Sequence, residues 1–211
     1  MRWVLAVALS AVAFAAAEAG PSRADALAAL AAADVEARRF GAAALIDAGT
    51  LEDAPALVRA LRDADRRVRG LAETALWAVW SRSGDAAVDS LLEIGVTQMR
   101  ERQVEASVET FTEIIRQRPE FAEAWNKRAT AYYLLGEWRR SAADCDEVLK
   151  RNPQHFGALS GYGMIWLQLD QPSLALQRFE QALAVNPNLD SVRETIEALR
   201  AALIQQRRGT I

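Results

Sequence analysis

Three prolines, Pro119, Pro153 and Pro187, stand 34 residues apart, and each closes a segment with the same internal punctuation. A fixed period of this size marks a stacked helical repeat, in which each unit supplies one helical hairpin and buries its apolar face only against its neighbours. Proline ends the second helix of each unit because it cannot continue a run of i to i−4 hydrogen bonds. A chain so punctuated is expected to be all-α and to present a groove rather than enclose a reaction.

Aligned on these prolines, the columns agree. The fourth position holds Leu91, Trp125 and Leu159, and the eighth the small residues Gly95, Ala129 and Gly163. The eleventh holds Gln98, Tyr132 and Trp166, and the twentieth Ser107, Ser141 and Ala175. Position twenty-four carries Phe111, Cys145 and Phe179, and twenty-seven carries Ile114, Val148 and Ala182. Small residues at eight and twenty let the two helices of a hairpin approach closely, while the residue at twenty-four fills the gap toward the next unit. This arrangement resembles the tetratricopeptide repeat, W-x2-L-G-x2-Y, then A-x3-F-x2-A, then P, over residues 86–189. The first unit departs from it at Gln98 and Ile114. The resemblance implies a right-handed antiparallel helical-hairpin solenoid over 85–206. It would end in a capping helix, for which Val192, Ile196, Leu199 and Leu203 have the spacing.

Residues 22–84 repeat at 31 residues. Asp34-x3-Arg38 matches Asp65-x3-Arg69, and Gly41, Ala44 and Leu45 match Ala72, Ala75 and Leu76. This resembles two short HEAT-like repeats. Two units are marginal alone, so they are expected to stack on the first tetratricopeptide hairpin, with Trp77 and Trp80 at the junction. The boundary falls at Ser81–Asp85, where Gly84 ends one helix and Asp85 caps the next. Arg62, Arg66, Arg67 and Arg69, interleaved with Asp63 and Asp65, read as a solvated, ion-paired surface.

Residues 1–19 are of another kind: Arg2, an uncharged run from Trp3 to Ala17, and small residues at Ala15, Ala17 and Ala19. This is the pattern of a secretory signal peptide cut after Ala17 or Ala19; its apolar run falls short of the roughly 20 residues that span a bilayer. Arg outnumbers Lys and Ala is abundant, which suggests a high-GC bacterial genome and, with the signal, the periplasm or secretion. The single cysteine, Cys145, cannot form an intramolecular disulfide, so the core must supply stability. A net charge of −3 without long single-sign runs favours neither nucleic acid nor an anionic membrane surface.

In arrays of the family it resembles, the first helix of each hairpin lines the concave face. That resemblance assigns Asn126, Lys127, Thr130 and Tyr133 from the second unit and Gly157, Ser160, Gly161, Met164 and Gln168 from the third to a partner-binding groove. The carboxylate clamp of one subclass is absent, because its places hold Leu92, Val96, Gly157 and Gly161, with Asn126 its one match. Interior glycines cost a helix roughly 1 kcal/mol each; Gly157 and Gly161 fall outside the close-packing column, so they are expected to form a bare strip that admits a partner's backbone. His155 reads as a turn residue and Cys145 as a buried structural thiol. No catalytic motif, metal-ligand spacing or cofactor fingerprint is visible. The expected function is a non-catalytic adaptor holding a peptide or helix of a protein partner. Its rivals are an accessory subunit of an enzyme of the HEAT-like lyase type and a self-assembling structural protein.

Overall fold

The computed structural model describes residues 20–209 of the 211, with side chains to residue 205; the expected signal peptide lies outside the described residues. Among these the chain forms eleven α-helices and no strand. The first four are α1 (Arg23–Leu30), α2 (Val35–Ala48), α3 (Ala54–Ala60) and α4 (Arg66–Trp80), with a 3-10 turn at Leu51–Asp53 before α3. Three hairpins follow: α5 (Ala86–Arg100) with α6 (Val104–Gln117), α7 (Ala122–Leu134) with α8 (Trp138–Arg151), and α9 (Phe156–Gln168) with α10 (Pro172–Val185). The last helix, α11 (Asp190–Gly209), packs on α10 through Val192, Ile196 and Leu199 against Phe179. The architecture is an antiparallel helical-hairpin solenoid in which each helix from α5 to α11 lies against the next.

The 34-residue period is written into the backbone as well as the side chains. Arg102, Gly136 and Asp170, one per hairpin turn, all have positive φ (64°, 75° and 55°). The following amide in each turn donates back across the helix end: Gln103 to the Gln98 carbonyl (2.8 Å), Glu137 to Tyr132 (2.9 Å) and Gln171 to Trp166 (2.8 Å). These six-to-one bonds satisfy carbonyls that a helix end otherwise leaves free. Columns eight and twenty-four are in contact. A Cβ on Gly95 would fall 2.4 Å from the Phe111 ring, and one on Gly163 would fall 2.5 Å from the Phe179 ring. A ring at twenty-four therefore requires glycine at eight; the second hairpin has Ala129 at eight and Cys145 at twenty-four.

The amino-terminal helices share a second rule. Asp34 accepts from the Ala37 amide at 2.8 Å, capping α2, and Asp65 accepts from Val68 at 3.0 Å, capping α4. Arg38 and Arg69, one turn on, each reach back to the carbonyls of the preceding turn, Ala32 and Ala33 in one case and Asp63 and Ala64 in the other. Asp63 and Asp65 pair with Arg38 and Arg39 of α2 at 2.7 and 2.6 Å, which binds the two helix pairs to each other.

Two expectations need correction. The amino-terminal unit is not stacked on the first hairpin; among the described residues no close helix packing joins α4 to α5 or α6. Instead it folds back onto the third hairpin. Leu57, Leu61 and Leu76 share a core with Phe156 of α9 and with Val185 and Leu189 around the α10–α11 turn. Nor are all four arginines a solvated face. Arg62 donates to the Ala184 and Val185 carbonyls at the end of α10, and Arg69 Nε donates to Asn188 Oδ1 at 2.9 Å. Asn188 Nδ2 in turn donates to the Leu61 carbonyl at 2.8 Å. Just as Arg38 reaches Asp63 in the next helix pair, Arg69 reaches Asn188, so the α10–α11 turn stands where a third pair would continue the stack. Arg66 and Arg67 are exposed, whereas Arg69 is half-buried.

Candidate functional site

Helices α7 and α9 bring six of the residues assigned to the groove around one pocket of about 180 Å³: Asn126, Thr130, Tyr133, Gly157, Gly161 and Met164. Its deeper wall is Ala129, Ser141, Cys145 and Ile165. The origin of the pocket lies in the packing rule above. The other two hairpins fill this space with Phe111 or Phe179, but here a cysteine takes the ring's place and α8 leaves room against α9. The sequence carried that signal in column twenty-four. Burial pushes the Cys145 thiol up to about 12, with the neighbouring Asp144 and Asp146 charges adding to it, so it is an apolar wall and not a nucleophile.

Gly161 faces open space, with nothing within 4 Å of where a Cβ would stand. Met164 is exposed at the rim, and Tyr133 is half-buried against Trp138, ring centroids 5.0 Å apart. Thr130 is exposed, its hydroxyl donating to the Asn126 carbonyl at 3.0 Å. Three assigned residues stand apart from the pocket. Ser160 turns its hydroxyl onto the Phe156 carbonyl (2.8 Å), Gln168 is exposed one turn beyond Met164, and Lys127 is held by Glu123.

Glu123, the first concave-face position of α7, holds two of the assigned residues, Asn126 and Lys127. Its side chain is fully buried, as is that of His155. One carboxylate oxygen accepts from His155 Nε2 at 2.9 Å and from Asn126 Nδ2 at 3.1 Å, and Lys127 Nζ lies 3.0 Å from the other. His155 Nδ1 accepts from the Ala158 amide (3.1 Å), capping α9, so the ring proton sits on Nε2. His155 is thus a buried cap as well as the turn residue expected, its own amide donating to the Asn152 carbonyl at 3.2 Å. Burial alone would push the Glu123 carboxyl up; His155 and then Lys127 outweigh it and hold it below its ordinary value.

The expected bare strip is only half bare. Trp77 of α4 lies against Gly157, its ring 2.2 Å from where a Cβ would stand. Trp80 stacks on His155 with centroids 4.4 Å apart and planes 22° apart. Lys127 Nζ stands 6.0 Å from the Trp77 ring centroid, at the edge of cation–π range. Asn126 and Lys127, the two polar side chains expected to meet a partner, are both turned to Glu123. A wider cleft of about 910 Å³ separates the amino-terminal unit from the repeat turns. Its cations are engaged: Arg23 with Asp53, Arg118 with Asp85, and Arg151 with Glu147. Among the described residues no group of three His, Cys, Asp or Glu side chains could hold a metal ion, and no helix is long and apolar enough to cross a membrane.

With this geometry in place, comparison with known proteins is informative. Residues 92–156 and 128–190 match the Tetratricopeptide repeat family. Over residues 92–190 the chain is similar to tetratricopeptide repeats. A TPR repeat-containing protein of Rhizobium etli is 32% identical over 128 residues, 61% of this chain; the chain spans 63% of that relative's length. Among solved structures, the Sgt2 TPR domain of Aspergillus fumigatus is 19% identical with a TM-score of 0.56, over 60% of this chain and 85% of that one. The first TPR domain of Spaghetti (RPAP3), bound to the HSP90 peptide SRMEEVD, is 20% identical with a TM-score of 0.54, over 56% and 93%. The Yersinia enterocolitica type III secretion chaperone SycD, in complex with a peptide of the translocator YopD, is 10% identical with a TM-score of 0.54, over 56% and 95%. At these identities the likeness is one of fold. No enzyme family is indicated by the repeat match.

Proposed function

We propose that this protein is a non-catalytic adaptor that holds a peptide or helix of a protein partner on its concave face, with one apolar side chain of the partner seated in the pocket between α7, α8 and α9. The carrying observation is the pocket itself: an apolar space, open at Gly161 and Met164, that exists because Cys145 stands where the other hairpins place phenylalanine. Peptide complexes of proteins with this fold support the reading. Burial of an apolar side chain contributes roughly 1.5–3 kcal/mol, enough to anchor one segment without fixing its whole sequence. Specificity would come from Thr130, Tyr133 and Met164 at the rim.

The double change Ala129→Gly with Cys145→Phe rebuilds the glycine–ring packing of the neighbouring hairpins and fills the pocket. It is expected to leave helicity and stability intact while abolishing capture of the partner from an envelope extract. Undiminished capture by the filled variant would remove the pocket from the binding site.

Export belongs to the same proposal and rests on residues 1–19. The mature protein is expected to begin at Glu18 or Gly20, read by intact mass from the source cells; a chain retaining Arg2 would overturn export by cleavage.

A further inference from the structure

The Gly157 end of the groove already has an occupant, the chain's own helix α4. Trp77 fits into the space a side chain at 157 would fill, Trp80 stacks on His155, and Phe156 is buried between the two indoles at centroid distances of 5.2 and 5.1 Å. Trp77 and Trp80 stand one helical turn apart and therefore share a face. Lys127 of α7 approaches the Trp77 ring, so both groove helices take part. The fit is made by side chains: the close helix packing of α4 is with α2 and α3, not with α7 or α9. The two units also separate cleanly in the chain. Arg82 donates to the Ile46 and Gly49 carbonyls of the amino-terminal unit, whereas the next residue, Ser83, donates to Asp89 of α5 at 2.6 Å. Gly84, at φ 80°, makes the bend between them.

We propose that the surface formed by His155, Phe156 and Gly157 is a docking site for an amphipathic helix presenting two large aromatic side chains one turn apart. Helix α4 occupies it in the isolated chain, and an outside helix of the same pattern exchanges with α4. This rests on the groove-binding reading and names the partner segment that reaches this end. It also makes the amino-terminal unit a competitor: a tethered occupant acts at an effective concentration of order mM, so an outside helix gains the site only if it binds better than α4 or if α4 is weakened.

The test uses the full chain and a labelled peptide of residues 65–81 added in trans. Trp77→Ala removes one of the two rings that hold the tethered occupant and so weakens it, while leaving the surface on α9 unchanged; it is expected to bind the peptide at least tenfold more tightly than the unaltered chain. Gly157→Leu blocks the surface itself, and is expected to bind no peptide although α4 is displaced. Hydrogen exchange should show amides of 23–80 exchanging as a block at least tenfold faster in Trp77→Ala, with those of α7–α10 unchanged. Equal peptide binding by Trp77→Ala and the unaltered chain would overturn the proposal, as would undiminished binding by Gly157→Leu. Because the filled pocket at Cys145 is a separate variant, loss of partner capture there with no peptide exchange here would leave the adaptor reading standing and remove only this one.

Discussion

Replacement of His155 by Ala is expected to lower the unfolding free energy by roughly 3–5 kcal/mol, the range for stripping a buried ionised group of its partner. Three losses coincide. The Glu123 carboxylate, fully buried, loses the donor at 2.9 Å. The Ala158 amide loses its cap, which alone is worth about 1 kcal/mol. Trp80 loses the ring it stacks on, at the seam between the two units. Urea unfolding followed by circular dichroism measures the effect, and a loss below about 1 kcal/mol would show that Glu123 finds other compensation. His155→Asn should recover the cap but not the reach to Glu123, so it is expected to fall between the two.

The same group sets a pH dependence. Glu123 is held below its ordinary value of 4.5 in the folded chain. A carboxyl with a depressed folded value contributes stability above its unfolded value and loses it as pH falls through the folded one. The unaltered protein should therefore lose stability on acidification below about pH 4.5, and Glu123→Gln should flatten that part of the curve.

Gly41→Ala is the second large effect. A methyl there would meet backbone rather than side chain: the Leu30 nitrogen at 2.4 Å, the Ala26 carbonyl oxygen at 2.5 Å and the Ala29 carbonyl carbon at 2.9 Å. Helices α1 and α2 cross at this point, and no rotamer change can relieve the contact. Overpacking of this kind costs roughly 1–3 kcal/mol, against a helix-propensity gain of up to about 1, so net destabilisation is expected, concentrated in the amino-terminal unit. Gly161→Ala supplies the contrast. With open space around it, the propensity gain stands alone and thermal unfolding should shift slightly upward. A stabilised Gly41→Ala would mean that the α1–α2 crossing is free to widen.

How far these features were legible depends on the range of the interaction. Columns eight, twenty and twenty-four report contacts inside one hairpin, and the glycine–phenylalanine pairs lie where the period places them. Cys145 in a phenylalanine column was visible too, and the pocket follows from it once the packing rule is known. The role of Glu123 was not legible: an acidic residue in the first turn of a helix is ordinary, and only the approach of His155 from the next repeat makes it a buried hub. The bare strip at Gly157 failed for the same reason. Its occupant, Trp77, lies 80 positions away in the sequence, and no periodicity couples the two.

The sequence by itself determined the helical hairpins, their 34-residue stacking and the capping rules, because each depends on residues a few turns apart repeating in register. Only the tertiary structure decided that the amino-terminal unit closes onto the third hairpin. That closure joins Arg69 to Asn188 and Trp77 to Gly157. The physical reason is that a repeat period specifies how each unit meets the next. Where one end of the chain meets another is a matter of the shape the whole stack takes, and of which exposed carbonyls and glycines that shape brings within reach.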